Sequence, residues 1–211
     1  MGRCGVRTFY FAAGGTPGQR GTTARGAVAQ CLGSGVLQTI LQPETGLAIW
    51  TRPCRRPPLR TVQALLDGPA FSHAASGPPE AATRALMRQL PADARPLGQD
   101  ISLLAVQFAR LVPDRRVRLR LEHLRDDACR LFHVDAVRLR LLCTYSGQGT
   151  EWLSEDDTLH RMAVMQAAIF KGTRHPDAAP RVRHRSPPVS TLPPSRRARL
   201  LLCIDETGIF Q

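Results

Sequence analysis

With 211 residues, 43% of them hydrophobic, the chain is long enough for one domain with a substantial core. Its formal charge of +12 is almost wholly arginine, since Lys171 is the only lysine among 29 basic residues. With two Tyr and two Trp, it lacks the aromatics that a base-stacking surface interleaves with its cations, so nucleic acid is an unfavoured partner.

No window reaches the ~20 apolar residues that cross a bilayer. The cysteines at 4, 31, 54, 129, 143 and 203 form neither a CxxC pair nor a disulfide spacing. Reduced thiols and a cytoplasmic location are expected.

Residues 1–34, rich in Gly, Thr, Arg and Ala without a period of 2 or 3.6, are read as a disordered or loosely attached leader. Residues 35–211 then make a single domain. VLQTILQ, from Val36, predicts a short helix or strand, and LAIWTR (47–52) a strand. The breaker PCRRPP precedes an amphipathic TVQALL helix. Residues 68–81 read as a Gly/Pro/Ser loop, followed by helices over 80–90 and 100–112, the second with Ile101, Leu104, Ala105 and Phe108 at helical spacing. After Pro113 the period becomes 2. Strands are predicted at 117–125, 129–135, 138–146, 167–172, 182–187 and 198–205, with Pro-rich loops from Pro176 to Pro194. Helices followed by short strands point to an α+β, mainly β domain: a sandwich or barrel braced by N-terminal helices. VRLRLEHLR and VRLRLLCTY alternate Arg with Leu, which predicts one wet face on each strand.

In CRLFHVD, strand alternation puts Cys129, Leu131, His133 and Asp135 on one face, so an imidazole and a carboxylate can share one ion. A second imidazole, His184 in RVRHRSPPV, completes a 2-His-1-carboxylate set that leaves positions open for a co-substrate and dioxygen. The HxD pattern alone also fits an exposed histidine beside a turn aspartate.

CRLFHVD, LCTYSGQGTEWL and HRSPPV closely resemble an uncharacterised bacterial domain family, a domain of unknown function. The succession FHVDAVRLRLLCTYSGQGTEWL, AAIFKG, RHRSPPV and RRARLLLCID resembles the prolyl-hydroxylase-like branch of the Fe(II)/2-oxoglutarate oxygenases. The resemblance covers roughly residues 35–211 and is densest over 117–205. It implies a double-stranded β-helix, a jelly-roll core. The metal, Fe(II) or alternatively zinc, would be held by His133, Asp135 and His184. The far carboxylate of a 2-oxoglutarate co-substrate would meet Arg199 or Arg197, with Tyr145 or Thr144 hydrogen-bonding it. Glu151 and Trp152 could line the substrate mouth, although an aromatic after a Gly turn is more often a core anchor. The sequence departs from the oxygenase pattern in the longer Pro-rich insertion between His184 and the arginines. The expected activity is oxygenation of an unknown small-molecule or protein substrate. Two alternatives remain open: a non-catalytic metal-binding or metal-homeostasis accessory protein of the same fold, and an Arg-rich nucleic-acid binder.

Overall fold

The computed structural model describes residues 7–8, 27–52, 59–177 and 181–208. The PCRRPP breaker and most of the expected leader lie outside them. In chain order the elements are β1 (Arg7–Thr8), β2 (Ala27–Cys31), a 3-10 helix (Ser34–Leu41), β3 (Thr45–Trp50), α1 (Leu59–Asp67), β4 (Phe71–Gly77), α2 (Pro79–Met87) and α3 (Arg95–Ala109). Then come β5 (Val117–Leu124), β6 (Leu139–Ser146), β7 (Glu151–Leu153), β8 (Leu159–Arg161), β9 (Ala167–Lys171), β10 (His184–Arg185) and β11 (Arg199–Glu206).

The fold is mixed and strand-rich. A large sheet has the order β1-β2-β3-β9-β6-β11-β5-β4, antiparallel except for the β2–β3 pair. A small sheet has the order β10-β7-β8. Helices cover one face of the large sheet because α3 presents Ile101, Leu104, Ala105 and Phe108 at i, i+3, i+4 and i+7, all fully buried. They meet Leu119 and Leu121 of β5, Leu139 and Leu141 of β6, and Leu200, Leu202 and Ile204 of β11. Each such side chain contributes roughly 1.5–3 kcal/mol by leaving water. On the opposite face Leu47, Ile49, Leu142, Phe170 and Leu201 pack against Trp152, Met162 and Val182 from the small-sheet side. Strand β11, covered on both faces, is buried along its whole length.

A buried polar clamp ties the helix layer down. Arg52 pairs with Asp100 of α3, with side-chain exposures of 6% and 13%. The Tyr145 hydroxyl of β6 donates to the other Asp100 oxygen at 2.7 Å.

Several elements differ from expectation. Phe71–Gly77, expected as loop, is the edge strand β4, paired along its whole length with β5. Few of its residues are β-branched or aromatic, and Gly and Pro flank it, so local propensity is overruled by pairing. Ala27–Cys31, assigned to the leader, is a strand of the large sheet. The 129–135 segment is not a strand: only His133 makes a bridge, to His184. The Arg-bearing faces of β5 and β6 are not simply wet. Arg120 and Arg140 are only 30% and 15% exposed, because the face they share with Leu142 looks into the space between the sheets. Cys129, Cys143 and Cys203 are free thiols, whereas Cys31 is disulfide-bonded, contrary to the expectation of reduced thiols throughout. Among the described residues no helix is long and apolar enough to cross a membrane.

Asp100→Ala leaves the Arg52 charge buried without its carboxylate and the Tyr145 hydroxyl without its acceptor. Urea unfolding should register a loss of about 3 kcal/mol; a loss below about 0.5 kcal/mol, the size of an ordinary surface change, would contradict the clamp.

Candidate metal centre

His133, Asp135 and His184 converge. One ligating atom from each lies within 4.8 Å of the others. The bridge His133–His184, with N–H···O contacts of 3.0 and 2.9 Å in the two directions, sets the two imidazoles side by side, ring centroids 4.8 Å apart. His133 Nδ1 lies 2.9 Å from the Leu131 carbonyl, which can only accept, so the proton belongs on Nδ1 and the Nε2 lone pair faces Asp135 at 3.6 Å. His184 Nε2 approaches Asp135 Oδ2 at 3.0 Å, yet this buried oxygen has no aligned hydrogen bond. Two imidazole nitrogens and a carboxylate gathered within 4.8 Å of one another are a donor set that fits a divalent cation of the iron, manganese or zinc type. Burial alone would raise the Asp135 carboxyl, but His184, Arg140 and His133 beside it outweigh that and hold it below its ordinary value.

The segment carrying Asp135 is pressed against the end of β9. Thr173 N–H donates to the Asp135 carbonyl at 2.8 Å and Arg174 N–H to the Val137 carbonyl at 3.0 Å. Gly172 permits this approach, since a Cβ there would stand 2.1 Å from the Val137 carbonyl oxygen. His184 is held from the other side: β10 pairs with β7, and Glu151 receives Arg185 Nε at 2.8 Å and also Arg161.

Arg199 opens β11 on the inner face and is 1% exposed. Its guanidinium meets hydroxyls only: Ser186 Oγ at 3.3 Å, Thr144 Oγ1 at 3.4 Å and Thr150 Oγ1 at 3.5 Å, while Nε is buried without a partner. No carboxylate among the described residues pairs with it, and burial brings its pKa down to about 10. Such a cation is costly unless an anion joins it. Ser186 is two residues beyond His184, so its hydrogen bond connects the arginine to the segment that carries that histidine. The GQG turn makes room for the Arg199 backbone. Gly147 has φ +85°, and a Cβ on it would stand 2.4 Å from the Ala198 carbonyl oxygen and 2.8 Å from Arg199 Cγ.

The other expected site residues lie elsewhere. Arg197 ends the short turn Pro194–Arg196, where period-2 alternation with Arg199 does not hold, and its Nε donates to the Leu192 carbonyl at 2.8 Å. Tyr145 faces the helix layer, bound to Asp100, so of the adjacent pair Thr144 alone reaches Arg199. Glu151 is enclosed by Arg161 and Arg185, and Trp152 is buried against His160 with ring centroids 4.2 Å apart. Both brace the small sheet, and neither is placed to form a mouth. Residues the sequence reading passed over are Ser186, Thr150, Arg140 and Asp205. The first two were legible in principle as hydroxyls within the HRSPPV and GQGTEWL motifs.

Residues 33–205 match the family described as "Protein of unknown function (DUF1826)". The chain belongs to the DUF1826 family. The uncharacterised family expected from CRLFHVD, LCTYSGQGTEWL and HRSPPV is thus found. No curated protein matches this DUF1826 chain. Among solved structures, a candidate oxygenase from Shewanella oneidensis aligns with a TM-score of 0.53 at 12% identity, over 86% of this chain and 89% of its own. A prolyl-4-hydroxylase from Pseudomonas putida aligns with a TM-score of 0.43 at 15% identity, over 83% and 99%. At these identities the likeness concerns the fold alone, and it rests on the first of the two.

The Glu151 carboxyl would be raised by burial, but hydrogen bonds and charge from Arg161 and Arg185 hold it below its ordinary 4.5. A depressed carboxylate contributes stability above its unfolded pKa and loses it as the pH falls through the folded value. Glu151→Gln should therefore be less stable than the parent at pH 7, with the gap closing below about pH 4.5 in unfolding curves; a gap constant down to pH 3 would remove this ion pair from the account.

Proposed function

We propose that the protein is a non-haem Fe(II)/2-oxoglutarate-dependent oxygenase on a double-stranded β-helix, acting on a substrate the sequence does not identify. The observation that carries the reading is Arg199: a buried guanidinium ringed by hydroxyls, paired with no carboxylate among the described residues, and hydrogen-bonded to Ser186 in the segment that carries His184. The likeness of fold to a candidate oxygenase is in keeping with it. His133, Asp135 and His184 would hold the metal, zinc being the alternative to iron for the same donors. Arg199, with Thr144, Thr150 and Ser186, would hold the distal carboxylate, the guanidinium fork matching two oxygens. With iron and 2-oxoglutarate bound, dioxygen would be the oxidant: one of its atoms would enter a C–H bond of the substrate and the other the succinate left when 2-oxoglutarate loses carbon dioxide and supplies two electrons. The chain's own part is to hold the His133 Nε2 lone pair inward through the Leu131 carbonyl, to hold His184 by the backbone bridge, to orient the co-substrate along the inner face, and to exclude water through Trp152, Phe170 and Leu201.

Anaerobic titration with ferrous ion and then 2-oxoglutarate is expected to give the weak visible charge-transfer band of the ternary complex. Arg199→Leu should weaken 2-oxoglutarate binding by roughly 30-fold or more while metal binding stays. Metal binding without any band in the parent would favour the accessory reading. Asp135→Ala is expected to cut metal affinity sharply, whereas Cys143→Ala should leave it unchanged, because Cys143 faces the helix layer beside Arg52. Equal losses in both would dismiss the assigned ligands.

A further inference from the structure

The centre has a buried charge relay behind it that the ligand set does not need in order to form. Arg140, on the inner face of β6, holds Asp205 of β11 through both arms of its guanidinium, Nε to Oδ1 at 2.6 Å and Nη2 to Oδ2 at 2.9 Å. Its remaining Nη1 donates to Oδ1 of Asp135. Arg140, Asp205 and Asp135 side chains are 15%, 3% and 7% exposed, so none of these contacts is a surface pairing.

We propose that Arg140 and Asp205 are positioning residues for the metal centre: Arg140 occupies one oxygen of Asp135 and leaves Oδ2 as the single oxygen offered beside His184, while Asp205 cancels the charge of Arg140. The inference rests on the metal reading above. A carboxylate free to rotate could give a cation both oxygens and fill a position that the co-substrate or dioxygen needs. A hydrogen bond to the other oxygen forbids this and fixes the plane of the group. An arginine placed so close to a divalent ion would by itself repel it, and here the second carboxylate removes that penalty. Asp205 therefore acts on the metal without touching it.

The relay also explains a sequence feature left over from the functional reading. The second arginine of VRLRLLCTY is on the concave side because Leu139 and Leu141 must face the helices. The same alternation on β11 puts Asp205 inward, opposite Arg140 in the register.

The test uses the full chain and Co(II), whose visible spectrum reports coordination number and whose binding needs neither dioxygen nor co-substrate. Asp205→Asn, which leaves Arg140 charged with Asp135 as its remaining carboxylate, and the double variant Arg140→Leu/Asp205→Leu, which removes both charges together, should each bind Co(II) roughly 10–100-fold more weakly than the parent, with an altered visible spectrum. Arg140→Lys, a single point donor unable to bridge two carboxylates, should show the same spectral change with a smaller loss. Unfolding temperature and far-UV circular dichroism separate this from misfolding, and if the double variant does not fold, Asp205→Asn and Arg140→Lys decide. Folded variants that bind Co(II) within twofold of the parent, with its spectrum, overturn the proposal and leave the ligand assignment standing. A parent chain that takes up no Co(II) overturns the metal reading itself, and this inference with it.

Discussion

The pairing of β6 with β11 at the centre of the large sheet is the constraint on which the site depends. Its register sets Arg140 opposite Asp205 at one end, and past an irregularity between Leu200 and Leu201 it brings Thr144 and Arg199 together at the other. Bulges of this kind re-aim side chains. A slip of either strand by one residue would turn its own pair, Arg140 and Thr144 of β6 or Arg199 and Asp205 of β11, toward the helices. What forbids the slip is apolar. Leu139, Leu141, Leu200, Leu202 and Ile204 occupy the other face of the same two strands, locked under α3. The helix layer covers the other face of the sheet, yet it decides which side chains the inner space receives.

That inner space sorts charge in an unusual way. Arg140 is matched twice, by Asp205 and Asp135, whereas Arg199 is matched by hydroxyls only. An arginine can be kept buried with a compensating carboxylate at modest net cost, and without one the cost stays. The two arginines thus mark different kinds of place: one is finished by carboxylates of the chain itself, and the other, among the described residues, meets hydroxyls alone.

Much of this was legible in the sequence where pattern and propensity agree. The helical spacing around Phe108 and the period-2 runs after Pro113 identified α3, β5, β6 and β11. HxD with a distant histidine named three residues that do meet. Other features were hidden for physical reasons. Phe71–Gly77 becomes a strand only because β5 offers it a partner. Alternation puts Thr144 and Tyr145 on opposite faces but does not say which is inward; packing of Leu139 and Leu141 under the helices decides it, and Asp100, 45 positions away, then accepts the Tyr145 hydroxyl. Arg140 could be placed on a face from sequence, but not the depth of that face, since the small sheet that covers it is built from β7, β8 and β10, each of two or three residues. Strands so short leave almost no periodic trace.

The uncompensated guanidinium of Arg199 has a consequence beyond recognition. An oxyanion that settles on it is bound by the folded chain and not by the unfolded one, so its concentration becomes a term in the folding equilibrium. At a buried guanidinium faced by hydroxyls, anion binding and resistance to unfolding are therefore two readings of one free energy.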